Sequence, residues 1–382
     1  MKIRCNRILL GKVLLFVVIL LVSGLGAFGC VGRGAVPKGW SGGVVADDTL
    51  FLGSMEGKLV AIDMPSHSRL WEVPLETLEE GGGFGCAPSS TAVAIYGSPV
   101  VAEELVYVGG YNGKIYAFSV GKDEPRWVYP REGNLDGSIV GGLVVSQGKA
   151  YVGCSDGKVY ALDAAEGYKE WEFQTGDKIW STPVIDGDTL YICSFDKKLY
   201  ALSATDGSKK WEFETGGAIA STPLVYNNTV YIGSFDRYLY AVDATDGSLV
   251  WKSEVKADNW FWTRTVICNN TLYVGCLDDK VYVLNAETGD EAVSPFDLGS
   301  PVCSWPVLVD GAVIIASEDG RIWAIDTSNN QQSELVNLEE KIYAPLCASN
   351  GVVYIHTQKD ETLYALNAEE KVILWSIPLS SK

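Results

Sequence analysis

Histidine is nearly absent: His67 and His356 are the two in a chain of 382 residues. Neither stands beside a cysteine or aspartate pattern, so the sequence offers no metal site of the imidazole type. Basic residues are short as well, 30 Lys and Arg against 48 Asp and Glu, for a formal charge of −18. So acidic a surface repels a phosphate backbone, which sets nucleic acid aside as a partner. No segment carries the spacing of a long amphipathic helix, and no two cysteines are adjacent. Methionine is limited to 3. What is plentiful is glycine, at 41, and aromatic residues, at 11%, within a 47% hydrophobic composition. That mixture suits a large core built from many short strands joined by tight turns.

The N-terminus reads as an export signal. Lys2, Arg4, Arg7 and Lys12 precede the apolar run Val13 to Val22, and small residues follow as far as Gly29-Cys30. A basic segment, a short apolar segment and a small-residue site make a secretory leader. The apolar stretch is marginal for spanning a bilayer. Ala27-Phe28-Gly29-Cys30 resembles a bacterial lipobox, although Ala27 and Phe28 depart from its usual residues. The expectation is a signal peptide over 1–29, a lipid on Cys30, a tether over 30–39 and one domain over 40–382. An ordinary cleaved signal or an uncleaved anchor is the alternative.

The strongest signal is an internal repeat. Ser181 to Ala220 reads STPVIDGDTLYICSFDKKLYALSATDGSKKWEFETGGAIA, and Ser221 opens a near copy, STPLVYNNTVYIGSFDRYLYAVDATDGSLVWKSEV. Each copy holds an aromatic or apolar residue followed by Ala or Val, and the second residue serves as a ruler. It falls at Ala61, Ala117, Ala161, Ala201, Ala241, Val283, Ala324 and Ala365. The interval is about 40 residues, the size of one repeat unit, and the first interval is the longest. Within each copy apolar residues alternate over short spans, which marks strands. Glu56-Gly57, Asn112-Gly113, Asp156-Gly157 and Asp319-Gly320 read as two-residue hairpin turns. A second turn follows at Glu166-Gly167, Asp206-Gly207, Asp246-Gly247 and Thr288-Gly289. Four antiparallel strands are too few to bury their own faces, and radial packing of such sheets solves that problem. The expected fold is all-β, a single eight-bladed β-propeller of four-stranded antiparallel blades.

These units resemble the pyrroloquinoline-quinone (PQQ) type of repeat, distinct in sequence from WD40. Its mark is Ala-x-Asp-x-x-Thr-Gly-x-x-x-Trp, present as Ala161 to Trp171, Ala201 to Trp211 and Ala241 to Trp251. Weaker copies end at Trp71, Trp127 and Trp375, while Val293 and Glu334 stand at the Trp position of two others. The resemblance implies that Trp71, Trp127, Trp171, Trp211, Trp251 and Trp375 dock one blade against the next. It also implies one of two activities. Quinoprotein dehydrogenases bind PQQ and calcium on the propeller axis. A non-enzymatic branch contains the BamB-type lipoproteins of outer-membrane protein assembly, and the length and leader of this chain are similar to that branch. Dehydrogenases of the family commonly carry adjacent cysteines over the cofactor, and none occur here. The inner strands open GSPVV, GGLVV, STPVI, STPLV, TRTVI and SWPVL, without a carboxylate for calcium. No cofactor and no catalytic residue are therefore expected.

Other motifs dissolve into the repeat. Gly153-Cys154-Ser155-Asp156-Gly157 fits G-x-S-x-G but sits on a hairpin rather than a nucleophile elbow. Asn227-Asn228-Thr229 and Asn269-Asn270-Thr271 are equivalent turn positions before they are glycosylation sequons. Cys154, Cys193 and Cys276 occupy slots that other copies fill with Gly or Ser, so they read as small core residues.

Two features exceed what the fold needs. The insertion from Leu78 to Ala94 is a candidate recognition loop. Trp40, Tyr96, Trp180 and Trp262 precede equivalent inner strands, with Trp260, Trp305 and Tyr343 close by. They are expected to ring one mouth of the channel, unless they serve only to pack blades together. Arg264 is the one charged residue in the inner-strand slots. The expected function is a non-catalytic, envelope-anchored scaffold that binds a protein or peptide as a monomeric propeller, held at the membrane by its lipid. A PQQ-dependent dehydrogenase or a ligand-sensing propeller is the alternative.

Overall fold

The computed structural model describes residues 39–75, 78–79, 90–91 and 93–380. The leader, the tether as far as residue 38, with Cys30 in it, Cys86 and most of the 78–94 insertion lie outside the described residues. Within them stand eight sheets of four sequential antiparallel strands, arranged in a ring as a β-propeller. Blade 1 runs from Gly43 to Pro74, blade 2 from Val100 to Tyr129, blade 3 from Leu143 to Gln174 and blade 4 from Val184 to Glu214. Blade 5 runs from Leu224 to Lys252, blade 6 from Val266 to Asp297, blade 7 from Val307 to Asn337 and blade 8 from Cys347 to Pro378. Leu78–Glu79 and Ser90–Thr91 form a separate two-stranded ladder inside the insertion, whose last residues Val93 and Ala94 are buried in the core.

The ruler residue has a structural reason. Ala161, Ala201 and Ala241 each lie opposite Trp171, Trp211 and Trp251 across the third and fourth strands. A methyl group beneath a flat indole leaves the ring free to reach the neighbouring blade. One residue later the register slips in each of these pairs, a bulge that turns the outer strand.

The indoles cross the blade boundaries at four successive interfaces. Trp127 donates Nε1–H to the Ala164 carbonyl of the next blade at 2.9 Å. Trp171, Trp211 and Trp251 repeat this toward Ala204, Ala244 and Ala286 at 3.2, 3.1 and 2.9 Å. The same carbonyls accept from Tyr107, Tyr151, Tyr191 and Tyr231. Gly167, Gly207, Gly247 and Gly289 lie flat against these indoles, so close that a Cβ would collide with the ring. Trp71 meets an irregular partner blade, and its Nε1 is buried without an acceptor. Between blades 6 and 7 Val293 replaces the indole, and Tyr273 donates to the Asn330 side chain at 2.9 Å instead.

The turns correct the sequence reading. Glu56-Gly57 and its equivalents are not two-residue hairpins, because the strands stop at Gly53 and resume at Lys58. Only the last residue of that loop has positive φ: Gly57 and Gly157, or Lys197 and Arg237 where glycine is missing. The two-residue turns lie one hairpin earlier, at Glu103-Glu104, Asn227-Asn228 and Asn269-Asn270, with both residues of each at positive φ. Asparagine tolerates that region better than most residues. In the longer loop, aspartate does work that the sequence reading attributed to glycine. Asp156, Asp196 and Asp278 accept from Tyr160, Tyr200 and Tyr282 at 2.7, 2.6 and 2.7 Å.

The ring closes without sharing a strand. Blade 1 is built wholly from the start of the domain and blade 8 wholly from its end. In five blades a glycine in the second strand receives an apolar side chain from the next blade, as Gly53 meets Ile95, Gly109 meets Ile139 and Gly153 meets Ile179. At the closing seam both positions are filled differently. His356 holds the glycine slot, and Gly39 stands where blade 2 has Ile95 and blade 4 has Ile179. The His356 Nδ1 lies 2.9 Å from the Ser41 carbonyl, so Nδ1 is the protonated nitrogen. Glu361 of blade 8 accepts from the Met55 amide of blade 1. His67, at the motif's glycine position with φ +54, stacks on Trp375 at 4.8 Å. Both histidines thus serve the seam. Leu50, Leu52, Val60 and Ile62 join Tyr354, Leu363, Ala365 and Leu379 in one core cluster beneath it.

Candidate binding mouth of the channel

Each blade is preceded by an extended triplet whose side chains alternate. The middle residue points into the blade: Ser41, Ser181, Ser221, Thr263 and Ser304 are all buried. Their hydroxyls bond to carbonyls, as Ser181 does to Cys193 and Ser221 to Gly233 at 2.7 and 2.8 Å. The residues on either side must then face the axis. The first positions are Trp40, Tyr96, Val140, Trp180, Ala220, Trp262, Cys303 and Tyr343, one from each blade. All eight line a single cavity of about 50 Å³, room for a few water molecules. Gly142, Thr182, Trp305 and Pro345 line it from the third position. Eight equivalent residues can share one cavity only on the axis, so this is the mouth of the channel.

The aromatic residues form two arcs. Trp40 meets Tyr96 edge-on at 4.5 Å and Tyr343 at 5.8 Å, and Tyr96 meets Tyr111 at 5.3 Å. Across the mouth Trp180 meets Trp262 at 6.1 Å and Phe195 at 4.6 Å. Phe235 stacks on Trp260 and Trp262 at 4.4 and 5.9 Å. Offset and edge-on pairs of this kind hold rings in fixed orientation. Lys178 lies 4.6 Å from both Trp180 and Phe195. Tyr96 is buried, and that burial raises its hydroxyl pKa well above the usual value. Trp40, Trp180, Trp262, Trp305 and Tyr343 keep part of their surface in water.

The four sequence candidates Trp40, Tyr96, Trp180 and Trp262 therefore meet at one cavity, and Tyr343 shares their repeat position rather than lying beside it. Trp260 sits one layer out, stacked on Phe235. The sequence reading missed Tyr111, Phe195 and Phe235, which reach the rim from the loops between second and third strands. Their equivalence was visible: each stands two residues past the small residue Gly109, Cys193 or Gly233 of the second strand, as in Cys193-Ser194-Phe195.

Arg264 is a third-position residue, between buried Thr263 and Thr265, and so faces the channel. Water reaches its side chain, yet the surrounding walls desolvate it enough to lower its pKa. Among the described residues no carboxylate or other polar group pairs with it. Cys303 at the mouth and Cys193 in the blade are fully enclosed, and burial pushes both thiols far above their ordinary range. Among the described residues no three His, Cys, Asp or Glu side chains converge as a metal site.

Solved structures with the same architecture include BamB from Moraxella catarrhalis, at TM-score 0.67 and 19% identity over 83% of this chain and 91% of that one. The computationally designed Ika8 protein aligns at TM-score 0.69 and 15% identity, over 86% and 96% of the two chains. No curated protein matches the sequence. A family match covers residues 31–195, 135–260 and 235–333 in overlapping segments. With that much of its length matched, the chain belongs to the PQQ-repeat family described as outer membrane protein assembly factor BamB.

Proposed function

We propose that this protein is a non-catalytic, envelope-anchored scaffold whose aromatic mouth holds an extended segment of a partner protein. The observation that carries this reading is the convergence of all eight first-position residues on one cavity, five of them aromatic and four of those five part-exposed. Packing between blades is already supplied farther out by Trp127, Trp171, Trp211 and Trp251. An aromatic rim left partly wet is suited to contact with another chain. Anchoring would come from a lipid on Cys30, and participation in outer-membrane protein assembly would follow the family's description. The propeller would act as a monomer, since its eight blades close on themselves.

The enzymatic alternative would need calcium and PQQ on the axis. The residues present do not fit them. The side chains lining the mouth are aromatic or small, and among the described residues no three His, Cys, Asp or Glu side chains converge as a metal site.

The test is recovery of the full-length protein from its own membranes with whatever it holds. A Trp180→Ala/Trp262→Ala variant is expected to fold and to lose the co-purifying envelope proteins. An unchanged set of companions would remove the mouth from the proposal. Cys30→Ser is expected to release the chain from the membrane fraction.

A further inference from the structure

We propose that Arg264 makes the mouth a carboxylate-binding site, one that grips the acidic end of a slender apolar ligand such as a peptide C-terminus. The inference rests on the reading of the mouth as a binding site and names what that site selects. Three observations combine. First, the alternation of buried Thr263 and Thr265 aims Arg264 into the channel, on the same wall as Trp262. Second, among the described residues the guanidinium has no anion, although the protein carries 48 acidic residues and pairs many of its other cations. Third, its equivalents in other blades include Gly142, Thr182 and Thr222. Two of those threonine hydroxyls are spent on the ring itself, Thr182 accepting from the Gly142 amide at 2.8 Å and Thr222 from the Thr182 amide at 3.3 Å. Among the described residues the wall therefore supplies one unpaired cation, and the acid at the rim, Glu318, is already engaged by Lys341 at 2.5 Å and by the Tyr343 hydroxyl at 2.7 Å.

A partly desolvated guanidinium binds a carboxylate through two parallel, charge-assisted hydrogen bonds. Arg264 follows two residues after Trp262, which lines the cavity of about 50 Å³ at the mouth, so a carboxylate on a narrow stem passing that small opening reaches the guanidinium, whereas a folded surface does not. The arcs around Trp180 and Tyr96 then meet the apolar stem. The net charge of −18 works against acidic ligands at long range. Selection must therefore come from the local contact.

The experiment uses the full-length protein in detergent micelles and tryptophan fluorescence as the readout. The probes are the tripeptide Gly-Gly-Leu, its C-terminal amide, and isovalerate. The free acid is expected to bind at least about tenfold more tightly than the amide, the scale of one charge-assisted hydrogen-bonded contact. In Arg264→Gln that preference should vanish, and in Arg264→Lys part of it should remain. Tight binding of isovalerate alone would identify a free organic acid as the source, whereas a requirement for the tripeptide would identify a chain end. Equal binding of acid and amide by the unaltered protein overturns the inference while leaving the aromatic mouth intact. Loss of all binding in Trp180→Ala/Trp262→Ala, with the acid preference absent from the start, would leave the mouth reading standing without Arg264.

Discussion

At the scale of single residues, similar tryptophans have different duties. Trp211 is 9% exposed, pinned by Gly247 and hydrogen-bonded to the next blade at 3.1 Å. Trp211→Ala is expected to cost about 3–5 kcal/mol, the range for emptying a buried indole site. Trp180→Ala, at the wet rim, should cost about 1 kcal/mol or less. Denaturant titration of the two variants reads the difference, and equal losses would contradict the division of labour. His356 gives a pH dependence. Burial lowers its pKa below the ordinary value, so the unfolded chain takes up a proton that the native chain resists. Stability should then be level above about pH 6.5 and fall as the pH drops below it. Glu172, whose pKa is lowered by Lys169 and Lys158, adds its own loss only at more acid pH. Midpoints measured between pH 8 and 5.5 should show the slope, and His356→Gln should flatten it. The docking tryptophans stood out in the sequence because a motif repeated around them. The role of His356 did not, because it depends on the Ser41 carbonyl, 315 positions away in the chain.

At the scale of elements, strands were easier to read than turns. Alternation of apolar residues is a local signal, and the ruler alanines added the register, as the pairs Ala161–Trp171 and Ala201–Trp211 show. Turn geometry was misplaced by one hairpin, since an x-Gly pair looks alike at the end of a four-residue loop and in a two-residue one. The rim was half legible for a similar reason: Trp180 and Trp262 precede strands, while Phe195 and Phe235 reach the mouth from loops whose direction no local pattern states. The hairpin at Glu103-Glu104 offers a test. Both residues have positive φ, which costs an ordinary side chain about 1–2 kcal/mol, and the two like charges are adjacent. Replacing the pair with Asn-Gly should raise the denaturation midpoint. A lower midpoint would mean that these acids make a contact worth more than the strain.

At the scale of the molecule, the decisive property is closure by side chains alone. Every other pair of neighbouring blades is joined by the chain, but blades 8 and 1 are held by His356, Glu361, the His67–Trp375 stack and a shared apolar cluster. A circular permutant opened between blades 4 and 5, with the present ends joined by a flexible linker, should therefore fold with every sheet intact. Its near-ultraviolet circular dichroism should match that of the parent. A molten spectrum would show that covalent order matters beyond the blades. The same property bears on descent. Because each blade begins and ends within its own stretch of sequence, duplicating or deleting one stretch of the gene adds or removes a finished part. A ring of another size would need new tailoring at one place only, where two histidines and a buried glutamate now make unlike ends fit.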